Sequence, residues 1–460
     1  MAELREGVGG RACFAYRLVS GWISDYSSVP RWEPWPSITL DGRLMADLSE
    51  TFAIAQLAGY NGVILWGLLC GRSWRPFLPD TVSVERREQV LAVLEQARSR
   101  DLKVFIGLGV YSWGFDEIIA EHLELDGGSP LNMCAARPES WEWMQRVLEF
   151  VMDGYHPDGL SLQSSDQGRC PCDACQELSS LEYHAAINER VCAYVKGRWP
   201  GTLLQISTWG MDLSDPEALA YIRQMTSCAD VLNDYNNSAG RRGREHRRRL
   251  ISCLSCVYGT EQGWWLDPPP FWDRLRWFLP FSTCNVAYWQ ELLEDGGNAI
   301  ERYILPLVNP GAEVGFIFDG LMLQDLRQDA LRVLGKALEV VFEPKSAGAL
   351  EVLISIWQGV QDAYLKGARE GKEPQAIGLN RVHYSGVLPA RGLAERPEYL
   401  LRLKPEALGR YISALLEAQQ SLTRVRGHLG RPDKAVRLER AIGLALSDAL
   451  GVRSHKAPVR

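Results

Sequence analysis

Short apolar runs alternate along the chain, up to about residue 324, with longer stretches in which apolar residues recur every three or four positions. The short runs predict eight strands, at residues 12–18, 62–66, 103–108, 159–163, 203–207, 230–233, 250–254 and 314–318. The longer stretches predict amphipathic helices that could connect parallel strands, such as residues 84–98, 140–152, 183–198 and 216–225. Eight such repeats predict an α/β protein built on a (β/α)8 TIM barrel. Before the last strand, residues 286–289 are a competing strand candidate.

The pattern changes after residue 324, where only helical periodicity remains. Residues 325–342, 347–370, 405–422 and 434–450 repeat apolar positions at helical spacing. Segments rich in glycine and proline, at residues 371–374 and 386–397, interrupt them. The sequence therefore predicts two domains, a (β/α)8 catalytic barrel over residues 1–324 and a C-terminal α-helical domain over residues 325–460.

Composition fits this organisation and narrows the class of partner. The 460 residues are 46% hydrophobic and 23% charged, which suits one barrel of about 250 residues with an appended domain. The net charge of -7 provides no broad basic surface for nucleic acid or an anionic membrane. We therefore expect neither nucleic acid nor membrane as a partner, while a homo-oligomer stays open.

Two further features bear on the compartment. No apolar run approaches the roughly 20 residues needed to span a bilayer, and residues 1–8 lack the apolar core of a signal peptide. The eleven cysteines are an odd number, which favours reduced thiols over a disulfide framework. The sequence thus predicts a cytoplasmic protein, and a signal cleaved from a precursor is the alternative.

Carboxylates and aromatic rings are frequent just after the predicted strands. In (β/α)8 enzymes the C-terminal ends of the strands carry the active site, so these residues are the candidates for function. Aromatic faces suit the flat apolar sides of sugar rings. The predicted substrate-binding residues are Asp25, Tyr26, Trp66, Trp113, Gln163, Trp209, Tyr235, Trp264 and Asp319.

Three carboxylates are the candidates for catalysis. Asp166 follows the fourth predicted strand and is the predicted general acid, and Asp234 or Glu261 is the predicted base or charge stabiliser. Glycosidases use such a pair because one group protonates the departing oxygen while the other activates water or stabilises the sugar cation. The structural alternatives are a helix N-cap for Asp166 and solvated loop acids for the other two.

Three cysteines close to Asp166 need a separate interpretation. Cys170, Cys172 and Cys175 supply three soft ligands of the kind found in zinc sites, but the fourth is missing, and Cys134 or His184 could supply it only through folding. A turn packed by small buried thiols is the favoured interpretation, with a metal as the alternative. Because no nucleotide-binding motif is present either, the sequence predicts no metal and no other cofactor.

Residues 241–249 form a basic run with six arginines and one histidine. Aromatic residues do not interrupt the run, as they would in a surface that binds single-stranded nucleic acid. The exposed face of a barrel helix is therefore the favoured interpretation, with a site for phosphate or an acidic sugar as the alternative.

Two segments carry a family resemblance. Residues 158–175, with Ser165-Asp166 and then the three cysteines, and residues 314–319 before the helical tail resemble α-glucuronidases, hexosaminidase-like glycosidases and bacterial endo-β-N-acetylglucosaminidases. The resemblance implies a TIM barrel that hydrolyses glycosidic bonds. In α-glucuronidases the acid ends the fourth strand, the place of Asp166, although that family has Asn-Ser-Glu where this chain has Ser164-Ser165-Asp166. The Asp-Glu pair of hexosaminidases is absent because Gln167 follows Asp166, which argues against catalysis assisted by the substrate's acetamido group.

The residues and the resemblance together predict a glycoside hydrolase that uses carboxylate acid/base catalysis on a carbohydrate substrate. Acidic and N-acetylated sugars are the implied substrates. Two other functions remain open. One is a non-catalytic glycan-binding barrel whose carboxylates only hydrogen-bond the sugar, and the other is a zinc-dependent hydrolase centred on the cysteine turn.

Overall fold

The computed structural model describes residues 13–29, 39–70, 73–128, 131–165, 168–216, 218–235, 237–263, 283–303, 307, 309–370, 400 and 403–456. Eight parallel strands pair in chain order and close into a barrel, with the eighth strand beside the first. The predicted (β/α)8 TIM barrel is confirmed. The strands are β1 (Tyr16–Trp22), β2 (Gly62–Trp66), β3 (Lys103–Gly109), β4 (Gly159–Gln163), β5 (Leu203–Ser207), β6 (Val231–Asp234), β7 (Val257–Gly263) and β8 (Ala299–Tyr303).

Helices connect the strands and continue after them. Those between strands are α1 (Gly42–Ala58), α2 (Val84–Arg98), α3 (Asp116–Glu121), α4 (Pro138–Tyr155), α5 (Asp173–Gln176), α6 (Ser180–Arg198), α7 (Ala218–Met225), α8 (Ser238–Arg242), α9 (Arg244–Cys253) and α10 (Val286–Glu294). Those after β8 are α11 (Pro310–Gln324), α12 (Ala330–Phe342), α13 (Ala347–Glu370), α14 (Pro405–Val425) and α15 (Pro432–Lys456). Within the described part of the chain, no helix combines the length and apolarity needed to cross a membrane.

Local sequence explains where several helices begin. Asp41 precedes α1 and accepts a hydrogen bond from the N–H of Leu44, and Ser83 caps α2 in the same way. Ser179 before α6 forms a capping box with Glu182, in which each side chain accepts from the other residue's backbone N–H. Such caps satisfy N–H groups that have no partner inside the helix.

The last two predicted strands are wrong. Residues 250–253 are the end of α9, residue 254 follows it, and residues 314–318 lie within α11. The seventh and eighth strands are β7 and β8 instead. The competing candidate, residues 286–289, begins α10. Short apolar runs do not distinguish a buried strand from a buried helix, and most of α11 is buried, so its sequence lacks the polar face of a surface helix.

The helices after β8 pack on one another and on the barrel. Helix α11 packs against α1, α12 and α15, and α14 packs between α13 and α15. Lys434 of α15 places its Nζ 2.5 Å from Oε1 of Glu313 in α11, and both residues are buried. The predicted helical C-terminal region is confirmed. The division into two domains after residue 324 stays a prediction.

The basic run forms α8 and α9, and much of its charge is neutralised within the protein. Asp295, buried at the end of α10, accepts hydrogen bonds from Arg244 at 2.7 Å and from Arg248 at 2.6 Å. The buried Arg247 also pairs with Asp295 and lies 2.6 Å from Glu291. Burial alone would raise the pKa of Asp295, but hydrogen bonds from Arg244 and Arg247 bring it below its usual value. These contacts favour the helix interpretation of the run.

Asp295→Asn is expected to lower the free energy of unfolding by about 3 kcal/mol, because it leaves Arg247 buried with a weakened counter-charge. Chemical denaturation at neutral pH measures the effect. The matched control is Asp325→Asn, which breaks an exposed pair with Arg327 and should change stability little. Equal effects of the two substitutions would contradict the structural role of Asp295.

Candidate active site

Three tryptophans from neighbouring strands form an aromatic wall at the mouth, the end of the barrel where the strands have their C-termini. Trp22 and Trp66 end β1 and β2, and their ring centroids are 5.9 Å apart. Trp113 follows β3 and meets Trp22 edge-on at 5.0 Å. Trp22 and Trp113 are half-buried, so part of each ring is open to a ligand. The predicted binding residues Trp66 and Trp113 therefore share one wall, which Trp22 extends.

The loop that carries Trp113 has a strained backbone. Tyr111 and Trp113 have φ values of 59° and 63°, a region that bulky residues rarely adopt. Backbone hydrogen bonds hold the loop, from Met133 N–H to the Tyr111 carbonyl at 2.9 Å and from Trp74 N–H to the Gly114 carbonyl at 2.7 Å. Strain of this kind is retained mainly at functional sites, where it fixes a side chain in place. Here it fixes the orientation of Trp113.

A second aromatic wall stands on the opposite strands. Trp209 follows β5 and Tyr235 follows β6, and their rings meet edge-on at 4.3 Å. The hydroxyl of Ser165, after β4, donates to the backbone carbonyl of Trp209 and so ties the two loops together. Asp166, the predicted acid, comes next in the chain but lies outside the described residues, as does Trp264.

Two carboxylates face the interior of the barrel between these walls. Leu18, Ile64, Trp66 and Phe105 pack together inside the barrel, and Glu301 of β8 pairs in register with Leu18, so it shares the inward direction. Glu261 of β7 pairs in register with Glu301 and points the same way. Both side chains are buried.

Amide groups from the far side of the barrel orient Glu301. Gln205 of β5 and Asn233 of β6 each donate a side-chain N–H to Oε2 of Glu301 at 2.5 Å. Charge-assisted hydrogen bonds of this kind are shorter and stronger than neutral ones. The result is a polar floor of one carboxylate and two amides inside the barrel, beside Glu261.

Asp234 points away from this interior. It follows Asn233 on β6 and therefore belongs to the outward-facing positions. One carboxylate oxygen accepts from the N–H and hydroxyl of Ser238, and the other accepts from Ala239 N–H at 3.0 Å and from the Tyr258 hydroxyl at 2.7 Å. The geometry argues against the predicted base role of Asp234 and favours an anchor for α8, because both oxygens are committed to the fold.

The remaining predicted binding residues are spread out. Gln163 ends β4, faces inward and is half-buried. Asp25 lies just after β1, is buried, and accepts from the Trp22 N–H at 3.2 Å, so it supports the first aromatic wall. Tyr26 is buried against Phe52 of α1, outside the barrel, and burial raises the pKa of its hydroxyl.

Asp319 was expected to follow the eighth strand, and this placement is wrong. It lies within α11, where its Oδ2 is 2.9 Å from Nε of Arg302, an outward-facing residue of β8. Burial raises the pKa of Asp319 to about 7, although the charge of Arg302 opposes the shift. The contact of Asp319 with Arg302 therefore joins α11 to β8, the strand that this helix covers.

Glu301 is the main residue that sequence reasoning missed. The error followed from the eighth strand, which was assigned to a buried helix. A turn signal was present, because Gly296 and Gly297 follow α10 and β8 begins two residues later. Gly296 indeed adopts a φ of 97°.

Gly107 leaves the space that the Trp66 ring occupies. Gly107 faces the barrel interior on β3, and a Cβ there would overlap the indole ring of Trp66. We expect Gly107→Ala to displace Trp66 and to cost about 1–3 kcal/mol of stability through overpacking. Tryptophan fluorescence and chemical denaturation measure both effects. Gly154→Ala in α4, where a Cβ meets no neighbour, is the control and should be neutral or mildly stabilising. A similar result for both variants would contradict the packing argument.

His184 in α6 is a buried histidine next to the β4 side of the mouth. Its ring is 2% exposed, and Nδ1 has no hydrogen-bond partner among the described residues. Burial first, and the charge of Arg169 second, lower the pKa of His184 to about 4. The folded protein therefore favours the neutral ring.

Because the folded-state pKa lies below the unfolded value, the contribution of His184 is present above about pH 6.5 and is lost as the pH falls toward 4. We expect about 3 kcal/mol of stability to be lost over this range. Denaturation curves at several pH values measure it, and His184→Gln should flatten the dependence. The half-buried His122 provides the control variant His122→Gln, and an unchanged pH dependence in His184→Gln would refute the assignment.

Known proteins resemble this chain in fold but not in sequence. No protein-family model and no curated protein matches it. A GH138 enzyme targeting pectin rhamnogalacturonan II aligns with a TM-score of 0.60 and 11% identity over 96% of this chain. The chain spans only 58% of the length of that enzyme.

Two other solved structures align over 96% of this chain. CpGH84B has a TM-score of 0.52 and 8% identity over 68% of its own length. A mutant of the Thermobaculum terrenum O-GlcNAc hydrolase has a TM-score of 0.50 and 12% identity over 88% of its length. The predicted resemblance to TIM-barrel glycoside hydrolases is thus confirmed in fold, and the chain shares its (β/α)8 architecture with these enzymes.

Proposed function

We propose that this protein is a glycoside hydrolase whose active site lies at the mouth of the barrel. The observation that carries the proposal is the pair of inward-facing carboxylates, Glu261 and Glu301, between two aromatic walls. A sugar ring can stack on the walls while Glu261, held beside Glu301, acts on the glycosidic bond. The fold shared with glycoside hydrolases supports the same activity.

Each carboxylate has a proposed role. Asp166 remains the proposed general acid, on the sequence argument, and donates a proton to the departing oxygen. Glu261 is the proposed base or charge stabiliser at the anomeric carbon. Glu301 is a proposed positioning residue, because it already holds Gln205 and Asn233 through hydrogen bonds. Asp234 is left as an anchor of α8.

The proposed substrate is a carbohydrate that contains an acidic or an N-acetylated sugar. Both classes come from the resemblance in the sequence, and the neighbours support testing both. One neighbour targets pectin rhamnogalacturonan II, and another is an O-GlcNAc hydrolase. A cytoplasmic location, a place in carbohydrate metabolism and the lack of a nucleic-acid partner remain predictions from the sequence.

The test is a hydrolysis screen with the wild-type protein. The panel contains aryl glycosides of N-acetylglucosamine, glucuronic acid, galacturonic acid and rhamnose, together with pectin fragments. We expect release of the aryl group or of a reducing sugar from at least one class. Saturable binding of a panel sugar without any release would overturn the proposal and favour the glycan-binding barrel.

A further inference from the structure

Four cysteines from two separate loops meet beside the mouth. Cys134 lies between β3 and α4, and Cys170, Cys172 and Cys175 lie between β4 and α6. Their sulfur atoms all lie within 4.8 Å of one another. Cys134 is thus the fourth candidate ligand that was missing beside the three clustered cysteines in the sequence. His184 is not part of the group.

Two of the sulfur–sulfur distances are close to those of a tetrahedral metal site. The Sγ atom of Cys134 is 3.4 Å from that of Cys172 and 3.9 Å from that of Cys175. Four sulfurs at about 2.3 Å from a central zinc ion are about 3.8 Å apart in a tetrahedron. The two distances from Cys134 Sγ lie on either side of this value. They are much longer than the roughly 2.05 Å bond of a disulfide.

The four cysteine side chains are largely shielded from solvent. Cys134, Cys170 and Cys175 are buried, and Cys172 is half-buried. Gly127 closes one side, because a Cβ there would overlap Cys170 Sγ and come within 3.4 Å of Cys134 Sγ. A zinc site made of four cysteines takes all its ligands from the protein, so it has no position left for a substrate or water.

We propose that Cys134, Cys170, Cys172 and Cys175 bind one Zn²⁺ ion in a structural, tetrahedral site. The four thiols lose their protons on binding, and four Zn–S bonds form. This proposal differs from the sequence-based prediction of no metal. Because the proposed site is structural, it gives no support to a zinc-dependent hydrolase.

The site would join two loops that shape the mouth. The first carries Asn132, whose side-chain N–H reaches the Gly168 carbonyl at 3.4 Å, and Met133, which bonds the strained loop of Trp113. The second follows Ser165, which bonds the carbonyl of Trp209. Zinc at the four cysteines would therefore link residues 168–175 to the loop that supports Trp113.

Metal analysis of the full chain, expressed with added Zn²⁺ and then desalted, tests the proposal. We expect about one zinc per chain in the wild type. Cys134→Ser and Cys172→Ser should lose most of it, whereas Cys228→Ser, which alters another half-buried thiol, should keep it. Absence of stoichiometric zinc from the wild type, or full retention in Cys134→Ser, would overturn the proposal.

Two measurements on the wild-type chain avoid the risk that a variant fails to fold. Exchange of zinc for Co²⁺ should give thiolate charge-transfer bands and the intense visible bands of a tetrahedral cobalt site. Alkylation followed by peptide mass spectrometry should show the four cysteines protected until a chelator is added. Octahedral cobalt spectra, alkylation of the four thiols without chelator, or a disulfide among them would each count against a zinc site.

Discussion

Replacing Glu261 by glutamine is expected to lower kcat/KM by about 100-fold to 10,000-fold while the fold is retained. Glutamine has the same shape and stays compatible with the buried position on β7, but it can neither accept a proton nor stabilise a sugar cation. Steady-state kinetics on the best substrate of the screen measures the loss, and circular dichroism checks the fold.

The control for Glu261→Gln is Glu95→Gln, which neutralises an exposed acid near the C-terminal end of α2, on the side of the barrel away from the mouth, and should leave kinetics unchanged. Glu301→Gln separates a chemical role from a positioning role. It should raise KM and lower kcat more modestly, since the amides of Gln205 and Asn233 lose their charged acceptor. Near-normal turnover in Glu261→Gln would remove it from the mechanism.

Asp166→Asn is expected to cause a loss of similar size, but only on substrates with poor leaving groups. A general acid matters because the departing oxygen needs a proton, and an acidic phenol leaves without one. The variant should therefore lose about 100-fold to 10,000-fold on natural oligosaccharides and far less on a dinitrophenyl glycoside of the same sugar.

Glu261→Gln provides the comparison for Asp166→Asn, because its loss should not depend on the leaving group in the same way. An equal loss of activity by Asp166→Asn on both substrates would exclude Asp166 as the acid. Unchanged activity on the oligosaccharide would favour the structural alternative for Asp166, a helix N-cap.

The repeated pattern of strand and helix was sufficient to predict the barrel. Strands β2, β4 and β5 and helices α2 and α13 match the predicted bounds, because each is flanked by clear turn or capping residues. The pattern failed at the seventh strand, where the apolar run is the end of α9, and at the eighth strand, where it lies in the mostly buried α11. Burial of most of α11 removes the polar face that identifies a helix in sequence.

The site was harder to predict than the fold, because one residue of register decides which way a side chain points. Asp234 was correctly placed at the end of β6, but its neighbour Asn233 faces the interior and Asp234 does not. The position of Cys134 was also hard to predict, because its contact with Cys172, 38 residues further along the chain, leaves no local sequence pattern. The direction of the Asp234 side chain and the contact of Cys134 are visible only in the folded structure.

Oxygen-18 water offers the most direct test that this barrel hydrolyses glycosidic bonds. The wild-type protein is incubated with the panel substrates in the labelled water, and the released sugar is analysed by mass spectrometry. We expect one oxygen-18 atom at the anomeric carbon of the product, with little product from Glu261→Gln. A folded wild-type protein that binds a panel sugar but never yields labelled product would contradict the account.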